Sequence, residues 1–186
     1  MRITDIRAHV MGVLGPDQRT VRRNWVFVEV RTDAGLTGIG EATTEYHELA
    51  VAAQIESELR PRLLGLDPTD IEGIWQLGYR DFWWKRGVVH TSALSGIDQA
   101  LWDLAGKAAG LPVYKMLGGR VRDRVRLYAR PDFAAGTNAE AAVQAVAEGF
   151  TAFKAGQERI PDPFDPFVLA DNEIASRLQQ GDLVIT

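Results

Sequence analysis

The chain contains no cysteine. That excludes a disulfide framework, a thiolate nucleophile and any metal site built on thiolates. Its apolar runs are only a few residues long, far short of the about 20 needed to span a bilayer. Arg2, Asp5 and Arg7 interrupt the apolar residues at the N-terminus, so no signal-peptide core is visible. A dominant charge is missing too. Lys plus Arg is 21 against 25 Asp plus Glu, a formal net charge of −4, which offers little attraction to phosphate backbones or acidic membranes. Nucleic-acid and membrane partners are therefore not expected, and the expected compartment is cytoplasmic. No internal repeat and no low-complexity tract appears. The glycine pairs at Gly38-Ile39-Gly40 and Gly118-Gly119 do not make a dinucleotide fingerprint or a P-loop, so nucleotide binding is disfavoured. What is present is globular: 46% hydrophobic and 25% charged residues exclude a disordered chain. The 186 residues suit one domain, or one domain plus a piece of another.

Residues 3–10 predict a strand, and residues 11–24, with Gly12, Gly15, Pro16 and Asp17, predict a loop. Residues 25–31, WVFVEVR, are a strand by composition. Thr32-Asp33-Ala34-Gly35 is turn chemistry, and residues 36–41 return as a third strand. This meander needs a cover on its apolar side. A helix over 46–64 supplies one, with Leu49, Ala52, Ala53, Ile55 and Leu59 near helical spacing and Gly65 as its stop. A second follows Asp67-Pro68-Thr69-Asp70, with Ile71, Ile74, Trp75 and Leu77 as its stripe. A third is capped by Thr91 or Ser92 and buries Leu94, Ile97, Leu101, Leu104 and Ala105. Ala93, Ser95, Gly96 and Ala100 allow very close packing there, and Gly110 followed by Pro112 ends the helix. From Val121 the pattern changes to strand (125–129), helix (138–148, capped by Thr137 or Asn138, ended by Gly149) and strand (150–154), a βαβ unit. Three prolines break the segment after Gly156; residues 168–178 allow a short helix, and 181–186 read as the start of a strand.

Residues 25–43, WVFVEVRTDAGLTGIGEAT, resemble the capping-domain hairpin of the mandelate racemase/muconate lactonizing enzyme group of the enolase superfamily. Residues 92–119, SALSGIDQALWDLAGKAAGLPVYKMLGG, resemble that group's helix, Leu-Pro turn and Leu-Gly-Gly exit into a modified TIM barrel. Residues 79–98, YRDFWWKRGVVHTSALSGID, look most like the acid-sugar dehydratase branch, particularly its galactonate-dehydratase-like members. The resemblance implies an α+β capping domain over residues 1–119, a three-stranded antiparallel meander packed on helices. An incomplete (β/α) TIM-barrel segment then occupies 120–186: two strands and one helix, followed by an irregular tail. A full barrel takes about 250 residues, so strands three to eight are not expected to fit, and the chain reads as a truncated piece of an enzyme. The implied chemistry is removal of a proton α to a carboxylate, with Mg²⁺ holding the enediolate. The three acidic metal ligands of such enzymes sit on barrel strands three to five and are expected to be absent. The implied partners are a small-molecule acid sugar and further copies of the chain in a homo-oligomer.

Site candidates follow from the resemblance and carry bland alternatives. Lys154 stands where the family often has Lys-x-Lys at the end of the second barrel strand; here the motif reads Lys154-Ala155-Gly156. Lys154 is the catalytic candidate, or simply a charge closing a strand. The loops before Trp25 and after Glu41 correspond to the family's two capping loops. Arg19, Arg22, Arg23, Glu45, Tyr46 and His47 are the side chains there able to bind a polyol, with His47, Glu45 and Arg23 foremost. The stretch Phe82-Trp83-Trp84-Lys85-Arg86 suits either the mouth of a site, with Arg86 on a carboxylate, or a subunit contact. Asp98 and Asp103 lie five apart on one helix, on different faces, and predict caps and ion pairs. Asp162, Asp165, Asp171 and Glu173 match no metal-ligand spacing. Two rival readings remain: a non-catalytic binding or oligomerisation module derived from the capping domain, and a racemase or cycloisomerase of the same superfamily.

Overall fold

The strand pattern of the first third builds a three-stranded antiparallel sheet in the order β1-β2-β3. Its strands are β1 (Ile3–Leu14), β2 (Val21–Thr32) and β3 (Thr37–Glu41). The computed structural model describes residues 1–14, 21–80, 87–129, 138–154 and 184–185. They fall into two compact units, Met1–Val121 and Arg122–Thr186.

The loop expected over 11–24 is mostly strand. Met11 pairs with Trp25, Gly12 with Asn24 and Val13 with Arg23, so the ladder runs on toward the hairpin tip. β-branched Val10, Val13 and Val21 favour that extension, and Gly12 alone is too little to end it. Side chains alternate across the sheet as a period of two demands. Ile6, Val26, Val28 and Val30 are fully buried on the inner face. The outer face carries Trp25 stacked on Phe27 and a polar row in which Glu29 is ion-paired to Arg31 and hydrogen-bonded to His9. The Arg31 guanidinium, then His9, holds the Glu29 carboxyl below the ordinary range.

The inner face is covered by a helical rod over 48–63, made of α1 (Glu48–Ala53), a π-helical turn (Gln54–Leu59) and α2 (Arg60–Leu63). It starts later than residue 46 because Tyr46 has a left-handed backbone, φ +69°. The π-turn follows from Pro61. A proline inside a helix lacks the N–H for residue 57 and crowds its carbonyl, so the turn before it widens and Arg60 N–H donates to Ile55 O. The buried stripe is Val51, Ile55, Leu59 and Leu63, a strict four-residue repeat. Such a repeat drifts around a helix of 3.6 residues per turn, and the wider turn takes up the drift. Leu49, expected in the stripe, is exposed.

After α3 (Ile71–Arg80), the long helix α4 (Val88–Ala109) carries most of the remaining core: Leu94, Ile97, Leu101 and Leu104 are buried. Its N-cap is Gly87 rather than Thr91 or Ser92, because both hydroxyls are used elsewhere. Thr91 Oγ1 donates back to Gly87 O at 2.8 Å, and Ser92 accepts from Thr44. β3 lies directly on α4: a Cβ at Gly40 would stand 1.9 Å from Gly96 O, and one at Gly38 2.1 Å from Ala100 O. Three α4 side chains at i, i+4 and i+8 then occupy four of the backbone groups on the free edge of β3. Gln99 bonds both the N–H and the C=O of Glu41, Asp103 Oδ2 accepts from Ile39 N–H at 2.9 Å, and Lys107 donates to Thr37 O at 2.7 Å. A sheet edge that would otherwise pair with a stranger is thus occupied from within. α5 (Val113–Met116) closes the unit.

In the second unit, α6 (Asn138–Ala147) precedes a two-residue strand β4 (Phe153–Lys154). The strand expected over 125–129 is reduced to a single parallel bridge between Ala129 and Phe153, with Val125 and Leu127 exposed. The strand expected over 150–154 is shortened because Phe150 still belongs to the helix end: its N–H donates to Ala145 O at 2.9 Å, and Gly149 N–H to Val146 O. β4 pairs in parallel with β5 (Val184–Ile185). The second strand of this unit therefore has parallel neighbours on both sides. Strand character within 181–186 is realised at Val184–Ile185. The helix expected over 168–178 lies outside the described residues.

Candidate functional site

β3 delivers the chain to a short turn, 44–47, before α1. His47 N–H donates to Thr44 O at 2.9 Å, and Val51 N–H to His47 O at 2.9 Å, so the turn leads straight into the helix. Thr43 fastens the approach: Val26 N–H donates to its Oγ1 at 3.0 Å, and its own N–H donates to Glu41 Oε1 at 2.6 Å. Thr44 Oγ1 donates to Ser92 Oγ on α4 at 2.7 Å. Glu45, Tyr46 and His47 are consequently displayed side by side on the surface of the first unit. His47 makes no side-chain cap bond to α1. A carboxylate, a phenol and an imidazole on one fixed turn can accept and donate hydrogen bonds to a hydroxyl-rich ligand.

The other candidates are not gathered with them. Arg23 lies in β2 opposite Val13, its side chain outside the described set. Arg19 and Arg86, with the whole stretch 81–86, lie outside the described residues. Lys154 belongs to the second unit, exposed at the end of β4, where its N–H donates to Ala129 O at 2.9 Å. Among the described residues no group of three His, Asp or Glu side chains is placed to hold a metal ion. Asp162, Asp165, Asp171 and Glu173 fall outside that set.

Two features had no signal in the sequence. One is the Thr44–Ser92 hydroxyl pair, whose members are 48 residues apart. The other is Asp98. Asp103 makes the ion pair its position predicts, with Lys107 at 2.7 Å. Asp98 makes none among the described residues: it is half-buried, and burial first, then the charge of Glu72, holds its carboxyl above the ordinary range. A raised carboxyl pKa means the folded chain keeps the proton longer than the unfolded chain. Its favourable contribution is complete below the unfolded carboxylate range and is lost as pH rises through the folded value. Asp98→Asn, neutral at every pH, is therefore expected to melt above the native chain at pH 7. The gap should close below about pH 4; a gap that widens on acidification would contradict this assignment.

Comparison with known proteins places this geometry in context. The family model "Mandelate racemase / muconate lactonizing enzyme, N-terminal domain" matches residues 14–118. A D-mannonate dehydratase of Xanthomonas oryzae pv. oryzicola is 49% identical over 106 residues, which is 57% of this chain and 25% of that protein. A D-galactonate dehydratase of Verminephrobacter eiseniae is 51% identical over 104 residues, 56% of this chain and 27% of the relative. Among solved structures, an enolase from Pantoea ananatis with bound D-gluconate and Mg superposes with a TM-score of 0.71 at 36% identity, covering 83% of this chain and 36% of that one. An enolase-superfamily member from Salmonella Typhimurium gives 0.74 at 32% identity, covering 85% and 43%. The chain thus spans about a quarter of the length of these curated relatives.

Proposed function

The chain belongs to the mandelate racemase / muconate lactonizing enzyme family through its N-terminal domain, and from that membership we propose that it is the N-terminal part of an acid-sugar dehydratase. In this reading residues 1–119 are the capping domain and residues 120–186 begin a barrel. The observation that carries it is identity near one half, over just over 100 residues, with dehydratases of D-mannonate and D-galactonate. The reaction class is loss of water from an aldonic acid to give a 2-keto-3-deoxy acid. The turn 44–47 serves as a capping loop, with Glu45, His47 and Arg23 as the candidates for the hydroxyls of the acid sugar and Arg86 as the candidate for its carboxylate. Lys154 is the catalytic candidate of the barrel segment. The working protein is a cytoplasmic homo-oligomer. Among the described residues of this chain no helix is long and apolar enough to cross a membrane.

Mg²⁺ is the cofactor that the relatives suggest; its role in such chemistry is to stabilise the charge that develops when a proton leaves a carbon next to a carboxylate. The described residues do not fit it. Mg²⁺ requires near-octahedral oxygen ligation with carboxylates held in place, and no such trio is assembled here. The chain by itself is expected to show no stoichiometric Mg²⁺ binding at micromolar concentration by calorimetry, and no turnover of D-mannonate or D-galactonate. If the coding sequence continues with acidic residues at three successive strand ends, the extended protein is expected to gain both properties. An extended protein that binds Mg²⁺ yet dehydrates neither sugar acid would refute the reaction class, and tight Mg²⁺ binding by these 186 residues would refute the assignment of the ligands to later strands.

A further inference from the structure

The turn 44–47 is held in a conformation its own residues disfavour. With a hydrogen bond from His47 N–H to Thr44 O and φ +69° at Tyr46, Tyr46 occupies the third position of a type II turn, where glycine belongs. It is the single non-glycine residue with positive φ among the described residues. A bulky L-residue resists this region because its Cβ meets the following carbonyl. Tyr46 is also 92% exposed, so packing within the unit does not compensate.

The compensation comes from the bonds around the turn. Thr43 and Val51 tie its two ends to β2 and α1, elements continuous with it or beside it. The Thr44–Ser92 bond differs, because it ties the turn itself to α4, where Ala93 and Leu94 next to Ser92 are buried in the core. Backbone strain of this kind persists only where the surroundings over-determine it, and it clusters at active sites, ligand clamps and switch regions.

We infer that Ser92 is a positioning residue, whose hydroxyl clamps the strained turn to α4 so that Glu45 and His47 stand in fixed places before an acid sugar binds. The role of the turn rests on the proposed function; the clamp itself is tested without any ligand. Amide hydrogen exchange on the full chain reads it directly at His47, whose N–H closes the turn. Ser92→Ala is expected to speed exchange at His47 about threefold to tenfold, the range that one net hydrogen bond supplies, while the Ile97 and Leu101 amides of α4 keep their native rates. Ser92→Thr, which retains the hydroxyl, is expected to restore the native rate. Thr44→Val removes the bond from the other side and should match Ser92→Ala, with the double variant no faster than either single one. Tyr46→Gly relieves strain that outweighs the unfolded-chain entropy it adds, and should raise the melting temperature by roughly 2–4 °C. Native exchange at His47 in both Ser92→Ala and Thr44→Val, or additive effects in the double variant, would overturn the clamp. A chain that passes these tests but whose extended form dehydrates no acid sugar would leave the clamp standing and remove only the functional reading.

Discussion

Gly40→Ala is expected to unfold the first unit or to lower its melting temperature by roughly 10–15 °C, the equivalent of about 3 kcal/mol for a domain of this size. The Cβ would lie 1.9 Å from Gly96 O and 2.9 Å from Ala100 N. Both are backbone atoms inside α4, so neither can rotate out of the way. β3 would have to lift off the helix, and with it would go the Gln99, Asp103 and Lys107 bonds that close its edge. Overpacking that shifts only side chains costs about 1–3 kcal/mol, and a backbone-to-backbone collision sits at or beyond the top of that range. Gly35→Ala is the control. Its added Cβ meets nothing within 4 Å, but φ is +75°, so only the left-handed penalty of about 1–2 kcal/mol applies. Equal melting temperatures for the two variants would mean that β3 and α4 are not packed as described.

Much of this architecture was legible because it rests on local periodicity. The alternation of Val26, Val28 and Val30 with Trp25, Phe27 and Glu29 marks a half-buried strand, and Leu94, Ile97, Leu101 and Leu104 mark a helix face. Small residues at Gly96 and Ala100 signalled close packing, though not that Gly38 and Gly40 were the partners. What failed depended on pairs distant in sequence. Within Met11–Leu14 only Val13 favours a strand by itself, and the segment became strand because β2 was there to receive it. Residues 125–128 have strand composition but no ladder among the described residues, and composition without a ladder is not a strand. The π-turn was readable in principle from Pro61 and the four-residue repeat of Val51, Ile55, Leu59 and Leu63. For the candidate site, His47 and Glu45 were proposed from the end of a strand and a family likeness. Ser92 was not found, because a hydroxyl pair 48 residues apart leaves no mark on either local pattern.

Trypsin is expected to cut the chain first at Arg122 and Arg124, leaving a protected fragment that retains the cooperative melting of the first unit. Residues 117–128 are all exposed, a continuous run whose Val121, Val125 and Leu127 have 93%, 73% and 68% of their surface in solvent. Everything that stabilises the first unit lies ahead of that run. Its core cluster begins at Ile3 and ends at Leu104, and it includes the inner sheet face, the four-residue stripe of the rod and the buried face of α4. A domain with its own core folds alone. The second unit has far less to resist with. Its buried apolar residues among those described are Ala139, Ala145, Ala152 and Phe153, and its sheet is two residues long. Alanines bury little area each, and at about 25 cal/mol per Å² they offset little of the entropy of ordering the chain around them. The expected products are therefore a stable fragment ending near Val121 and rapid loss of the rest. Rapid cleavage within α4, with residues after Val125 surviving intact, would show that the stable core has been assigned to the wrong unit.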